Sequence, residues 1–180
     1  MPRDGSATRE RLLEAGLKLA HAGALSALRV DDIVDGAGVG KGTFYVHFAS
    51  REDFLVALHR RFHDQLAQRI ERAIAGLAPG LPRLLRGTSA YLDGCCEQRA
   101  IKAMLLGARA EPAILQAVTA QNARFAALVA EEFAAAGWPA APQAARLWVG
   151  MSAEAAIAES EAGRKLPLLR QALARFAADR

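Results

Sequence analysis

An all-α fold of about nine helices is what this sequence predicts. Three observations carry it. Hydrophobic residues make up 52% of the 180 positions, enough for a sizeable core. Alanine and leucine dominate while β-branched residues are few, a balance that favours helix over strand. Apolar residues recur at three- and four-residue spacing, and no alternating strand pattern interrupts them.

Taken in order, residues 1–6 read as a solvated arm. A first helix follows over about residues 7–22, with Leu12, Ala15, Gly16 and Leu19 on one face and Gly23 as its stop. Val30, Ile33, Val34 and Ala37 repeat at helical spacing and mark a second helix. Asp31 and Asp32 in its first turn complement the helix dipole. Both acids would repel phosphate, so they are expected to face away from DNA. Gly38-Val39-Gly40 is a tight turn between helices. The third helix has room for only about two turns before Ser50. Within it Phe44 and Phe48 are four apart and share an apolar face, while Thr43, Tyr45 and His47 point elsewhere.

Ser50-Arg51-Glu52-Asp53 is a capping-box-like start for a long fourth helix. Its stripe runs Phe54, Leu55, Leu58, Phe62, Leu66, Ile70, Ile74 and Leu77, and it stops between Gly76 and Gly80. Pro82 opens a fifth helix with Leu84, Leu85, Thr88, Tyr91, Leu92 and Cys95 inside. A sixth is expected over residues 100–109, with Ile101, Met104, Leu105 and Ala108 inside. Pro112 starts a seventh, whose stripe is Leu115, Val118, Asn122, Phe125, Val129 and Phe133. The last two run over residues 142–162 and 166–178, and Leu169, Leu173 and Phe176 are the expected buried face of the final one.

The stretch from Ala37 to Arg51 carries the chemistry. It holds two cations and no acid. Its apolar anchor is backed by a face of hydroxyls, an imidazole and a lysine, the groups that contact phosphates and base edges. Val30-Asp-Asp-Ile-Val, Ala37-Gly-Val-Gly-Lys-Gly-Thr-Phe-Tyr-Val-His-Phe and Ser50-Arg-Glu-Asp together resemble the DNA-binding domain of TetR-family transcriptional repressors, over about residues 8–58. Two positions depart from the family pattern. Arg29 and Gly40 stand where the family has hydroxyls, and each change removes a helix cap or phosphate contact.

The resemblance implies a helix-turn-helix DNA-binding domain over residues 1–50 and a helical regulatory and dimerisation domain over residues 51–180. It implies a repressor that binds double-stranded DNA at a palindromic operator as a homodimer, and a small-molecule ligand that releases it. Arg29, Lys41, Thr43, Tyr45, His47 and Arg51 are the expected DNA contacts. Tyr91, Met104, Asn122, Phe125, Trp148 and Met151 are the candidate ligand-pocket residues, and their balance suggests an apolar ligand. Gly150, Ala153, Leu169, Leu173 and Phe176 are the candidate dimer interface, since small residues such as Ala144, Ala145 and Ala156 let helices approach closely.

Other classes find less support. Gly38-Val-Gly-Lys-Gly-Thr43 also resembles the phosphate loop of adenylate-kinase-like enzymes, which would make the chain a nucleotide-binding phosphotransferase. That loop needs a buried strand before it, and Val30 to Asp35 carries three acids. A helical interaction protein without DNA binding is the other alternative. His59 and His63 have a zinc-like spacing but no third ligand, and read as solvated or interface residues. Cys95 and Cys96 read as packing thiols. No nucleophile elbow or acid–base pair stands out, so neither catalysis nor a cofactor is expected. The net charge of +4 argues little, because the first 63 residues hold nine Lys/Arg against eight Asp/Glu. No apolar run reaches the ~20 residues of a membrane span, and the start of the chain lacks a signal-peptide core. A cytoplasmic protein is expected.

Overall fold

The computed structural model describes residues 5–21, 28–99, 101–102 and 111–178. Among the described residues there are eight helices and no strand. They are α1 (Gly5–His21), α2 (Val30–Ala37), α3 (Lys41–His47), α4 (Arg51–Ile74), α5 (Leu81–Glu97), α6 (Pro112–Ala135), α7 (Ala141–Ala162) and α8 (Pro167–Ala178). The helix expected over residues 100–109 lies almost wholly outside the described residues, and Met104 with it. No described helix is long and apolar enough to cross a membrane.

Packing divides the chain into two compact units, Met1–Phe62 with Ala100–Ala117, and His63–Arg99 with Val118–Arg180. α4 and α6 each contribute residues to both.

In the first unit the core forms from the anticipated faces. Leu12, Ala15, Ile33, Val34, Phe44, Phe48, Phe54 and Leu58 are all buried. Phe44, Phe48 and Phe54 form an aromatic cluster with centroids 5.1–5.5 Å apart, the Phe48–Phe54 pair meeting edge to face. Aromatic pairs at this geometry add about 0.5–1.5 kcal/mol each beyond burial. They lock the short α3 onto the first turn of α4. That turn is capped as its sequence suggests, with Ser50 Oγ accepting the Asp53 N–H at 3.1 Å.

In the second unit Leu66, Leu84, Leu92, Cys95, Phe133, Ala145, Trp148 and Ala156 are buried. α4 and α5 approach closely because residue 94 is glycine. A Cβ there would stand 2.5 Å from Leu66 Cδ2, inside any real contact distance.

Three expectations about facing fail. In α6 Ile114 is fully buried and Leu115 is exposed, so the inward stripe is rotated by one residue there. In α8 the inward residues are Leu173 and Ala177, whereas Leu169 and Phe176 are exposed. In α7 Ala144, Ala145 and Ala156 are buried inside their own protomer and are not free to meet a second copy. Charged residues explain the shift in α8. Arg170 turns inward to reach Glu159 and Asp93 at 2.6 Å, and an apolar-only pattern does not anticipate an inward arginine.

Candidate nucleic-acid interface and ligand cavity

The first candidate site is the α2–α3 pair. α2 ends at Gly38, whose φ of 63° and ψ of 42° place it in the left-handed region. Its N–H reaches the Asp35 carbonyl at 3.1 Å, and the Val39 N–H reaches the Val34 carbonyl at 3.0 Å. This is a Schellman stop, and it turns the chain into α3 within three residues. Arg11 of α1 adds a part the sequence did not reveal, donating from its guanidinium to the Ala37 carbonyl. Gly40 begins α3 with extended dihedrals and no side-chain cap, as expected where a hydroxyl is missing.

With Phe44 and Phe48 buried, the rest of α3 faces outward. Lys41, Gly42, Tyr45 and Val46 are exposed, and Thr43 and His47 are half-buried. The Tyr45 ring rests edge-on against Phe44 at 5.4 Å, which restricts its motion while leaving it 51% exposed. Val46 is 80% exposed, an apolar side chain on the outward face of α3 that the sequence pattern gave no reason to single out. An added Cβ at Gly42 would meet nothing within 4 Å, so the backbone there is open to close approach.

The cations of this face have partners. Lys41 Nζ stands 2.8 Å from Asp31 Oδ1, and Arg29 stands 3.9 Å from the same carboxylate. Asp31 meets these cations because the tight turn brings the first residue of α3 beside the first turn of α2. The Lys41 hydrogen bond and charge hold the Asp31 carboxyl below its ordinary range, and Asp31 in turn holds the Lys41 ammonium above its own. Arg51 is engaged more fully. Its Nε donates to the Leu28 carbonyl at 2.9 Å and its Nη1 to Glu111 Oε1 at 3.2 Å. It ties the segment entering α2 to the start of α4.

The phosphate-loop reading does not survive this geometry. Gly38 to Thr43 follows a helix, and the loop's lysine is paired with Asp31.

The second candidate site is a cavity of roughly 240 Å³ lying wholly within the second unit. Tyr91, Asn122, Phe125 and Trp148 line it, together with Ile70, Ile74, Leu84, Thr88, Leu128, Val129 and Ser152. Met151 on α7 is not among its walls, and Met104 lies outside the described residues. Trp148 donates from Nε1 to Thr88 Oγ1 at 3.0 Å, which fixes the indole plane against the cavity. The Arg83 Nε donates to Glu132 Oε1 at 2.6 Å, and Glu132 Oε2 accepts the Gly80 N–H at 2.8 Å. His63 lines the cavity with its ring 5.9 Å from that of Phe125. His59 and His63 are buried, not solvated, and no group of three metal-ligating side chains occurs among the described residues.

A helix-turn-helix with an exposed polar face and a helical unit holding a cavity are the two parts that a ligand-responsive DNA-binding regulator requires. Residues 12–58 match the family described as "Bacterial regulatory proteins, tetR family". An uncharacterised HTH-type transcriptional regulator of Bacillus subtilis, YwcC, is 46% identical over 52 residues, 29% of this chain and 23% of that one. The HTH-type transcriptional repressor KstR2 of Mycobacterium tuberculosis is 40% identical over 76 residues, 42% of this chain and 38% of that one. The matched stretches thus span well under half of these relatives' own lengths. The fold match extends further. A crystal structure described as the transcriptional regulator SCO7518 from Streptomyces coelicolor A3(2) superposes with a TM-score of 0.76 at 20% identity, covering 94% of this chain and 98% of that one.

Proposed function

We propose that the protein is a cytoplasmic transcriptional repressor that binds a palindromic operator as a homodimer and leaves it when a small molecule occupies the cavity of the second unit. The observation that carries this reading is α3. It is pinned by Phe44 and Phe48 and presents Lys41, Gly42, Tyr45 and Val46 outward behind a Schellman turn. In this reading Tyr45, Thr43 and His47 contact base edges and nearby phosphates, and Lys41 and Arg29 contact phosphates. Arg51 acts by holding the entry to α2 in place while its exposed edge meets the backbone. Residues 1–50 are the reader and residues 51–180 the regulatory and dimerisation part.

The dimer is assigned to α7 and α8 through Gly150, Ala153, Leu169 and Phe176. Leu173 serves the protomer's own core beside this surface. Tyr91, Asn122, Phe125 and Trp148 are assigned to the ligand. α4 supplies a physical link, since it contributes Phe54 and Leu58 to the first unit and Ile70 and Ile74 to the cavity wall. A ligand shifts DNA affinity only by its differential affinity for two arrangements of such an element, typically about 1–3 kcal/mol.

The test uses duplexes selected by the protein from a random pool. Tyr45→Ala is expected to cost about 1–3 kcal/mol on the selected sequence and little on scrambled DNA. Lys41→Ala is expected to weaken binding to both and to flatten the salt slope by about one unit. Wild-type affinity in both variants would refute the reader assignment.

A further inference from the structure

The walls of the cavity say more about its occupant than their apolar character alone. Three carboxylates line it, Glu71, Glu131 and Glu132, against the single guanidinium of Arg83. That guanidinium is already matched. It bonds Glu132 at 2.6 Å, and the second oxygen of Glu132 is taken by the Gly80 N–H. Glu131 stands 4.0 Å from Arg83 with a side chain that is 69% exposed. Glu71 lies on the cavity-facing side of α4 and pairs with no cation among the described residues. The net charge around the cavity is therefore negative, and it lies with the more exposed residues.

Deeper in lies the hydroxyl of Ser152. Ser152 is 7% exposed and lines the cavity, and its Oγ makes no hydrogen bond among the described residues. A buried hydroxyl without a partner costs free energy that an occupant would recover by supplying one. Around it stand the aromatic faces of Tyr91, Phe125 and Trp148, surfaces that attract a cation as well as an apolar ring.

These features discriminate among occupants. An anion would meet unmatched carboxylates and find the guanidinium already neutralised. A neutral apolar molecule would gain burial only. An apolar body carrying a positive charge gains burial, the ring faces and the attraction of Glu71 and Glu131 together. We propose that the cavity binds an amphipathic organic cation, its ring body against Ile70, Phe125 and Trp148, a polar atom toward Ser152, and its positive end toward Glu71 and Glu131. This rests on the reading of the cavity as a ligand site, and it replaces the simply apolar ligand that residue types alone suggest.

Three probes of similar size separate the possibilities: 3-phenylpropyltrimethylammonium, its uncharged isostere 4,4-dimethylpentylbenzene, and the anion 4-phenylbutyrate. Their affinities for the full chain are measured through tryptophan fluorescence and calorimetry at low salt. The cation is expected to bind at least tenfold more tightly than the isostere, with the anion weakest. Glu71→Gln combined with Glu131→Gln is expected to remove the cation's advantage and leave the isostere's affinity unchanged, which also shows that the variant is folded. An isostere binding as tightly as the cation, or a cation advantage that persists in the double variant, would overturn the charge assignment while leaving the cavity as a ligand site. Failure of all three probes to bind would overturn both.

Discussion

At the scale of single residues, Asp31 sits where its charge opposes the proposed function. It is within 2.8 Å of Lys41 and 3.9 Å of Arg29, the two cations assigned to phosphates. DNA must displace this carboxylate from Lys41 before that ammonium contacts a phosphate, and the displaced charge then repels the duplex. Asp31→Asn is therefore expected to raise affinity for scrambled DNA several-fold and to steepen its salt dependence by about one unit. Affinity for selected sequence rises less, so the specificity ratio falls. Fluorescence anisotropy across a salt series reads all three quantities. Weaker binding of the variant to selected sequence would instead mean that Asp31 touches DNA itself, as a carboxylate accepting from a cytosine amino group does.

At the scale of elements, α8 is fastened by a charge network as well as by the buried Leu173 and Ala177. Glu159 of α7 is 1% exposed. It accepts from Arg170 at 2.6 Å through both oxygens and from the Leu166 N–H at 2.8 Å. Asp93 of α5 accepts from the same guanidinium at 2.6 Å and pairs with Lys165 at 2.8 Å. Burial alone would raise both carboxyls, but the hydrogen bonds from Arg170, Lys165 and the Leu166 N–H outweigh it, and both lie below their ordinary values. Arg170 is correspondingly raised, chiefly by its hydrogen bonds to Glu159.

A carboxyl lowered in the folded state stabilises the fold above its unfolded value, and that contribution is lost as pH falls through the folded value. Arg170→Ala leaves Glu159 buried without its counter-charge and is expected to cost about 3 kcal/mol near neutral pH. The gap between wild type and variant is expected to narrow steadily as pH drops below the ordinary carboxylate range. Urea denaturation at a series of pH values measures it, and a pH-independent gap would show that Arg170 acts through packing alone.

At the scale of the whole molecule, one short helix covers only a few base pairs, so the proposed function requires two copies on half-sites about 34–36 Å apart. Within one chain Leu147, Leu168 and Phe176 are exposed, Leu168 at 82% and Phe176 at 46%, and an added Cβ at Gly150 meets nothing within 4 Å. Scattered exposed apolar residues are ordinary, whereas a contiguous apolar patch larger than a few hundred Å² marks an interaction surface, and the dimer reading requires these side chains to form one. Light scattering at micromolar concentration is expected to give twice the chain mass of 19.2 kDa. Phe176→Glu, at a position outside the protomer core, is expected to give the single-chain mass while keeping its helical content. It is also expected to lose at least tenfold in affinity for the palindrome but not for scrambled DNA. A single-chain mass for the wild type would rule the dimer out.

The sequence alone determined what local chemistry determines. Gly38, Gly76, Gly137 and Gly163 all adopt positive φ at or near helix ends, where only a residue without Cβ is comfortable. Ser50 caps α4, and the four-residue spacing of Phe44 and Phe48 fixed which side of α3 is anchored and which is offered. Those signals act within a few residues, so the order of the helices and the reader's face were legible before any packing was known. What only the tertiary structure decided is which distant groups meet. Arg51 reaches the Leu28 carbonyl and Glu111, sixty positions on, and Arg170 turns into the core because Asp93 waits there, 77 positions earlier. The same holds for the cavity. Its aromatic wall could be named from residue types, but the matched Arg83, the unmatched Glu71 and the open Ser152 hydroxyl arise only when four helices come together. Hydrophobic periodicity records where apolar residues go and carries no information about a polar group whose partner lies on another helix.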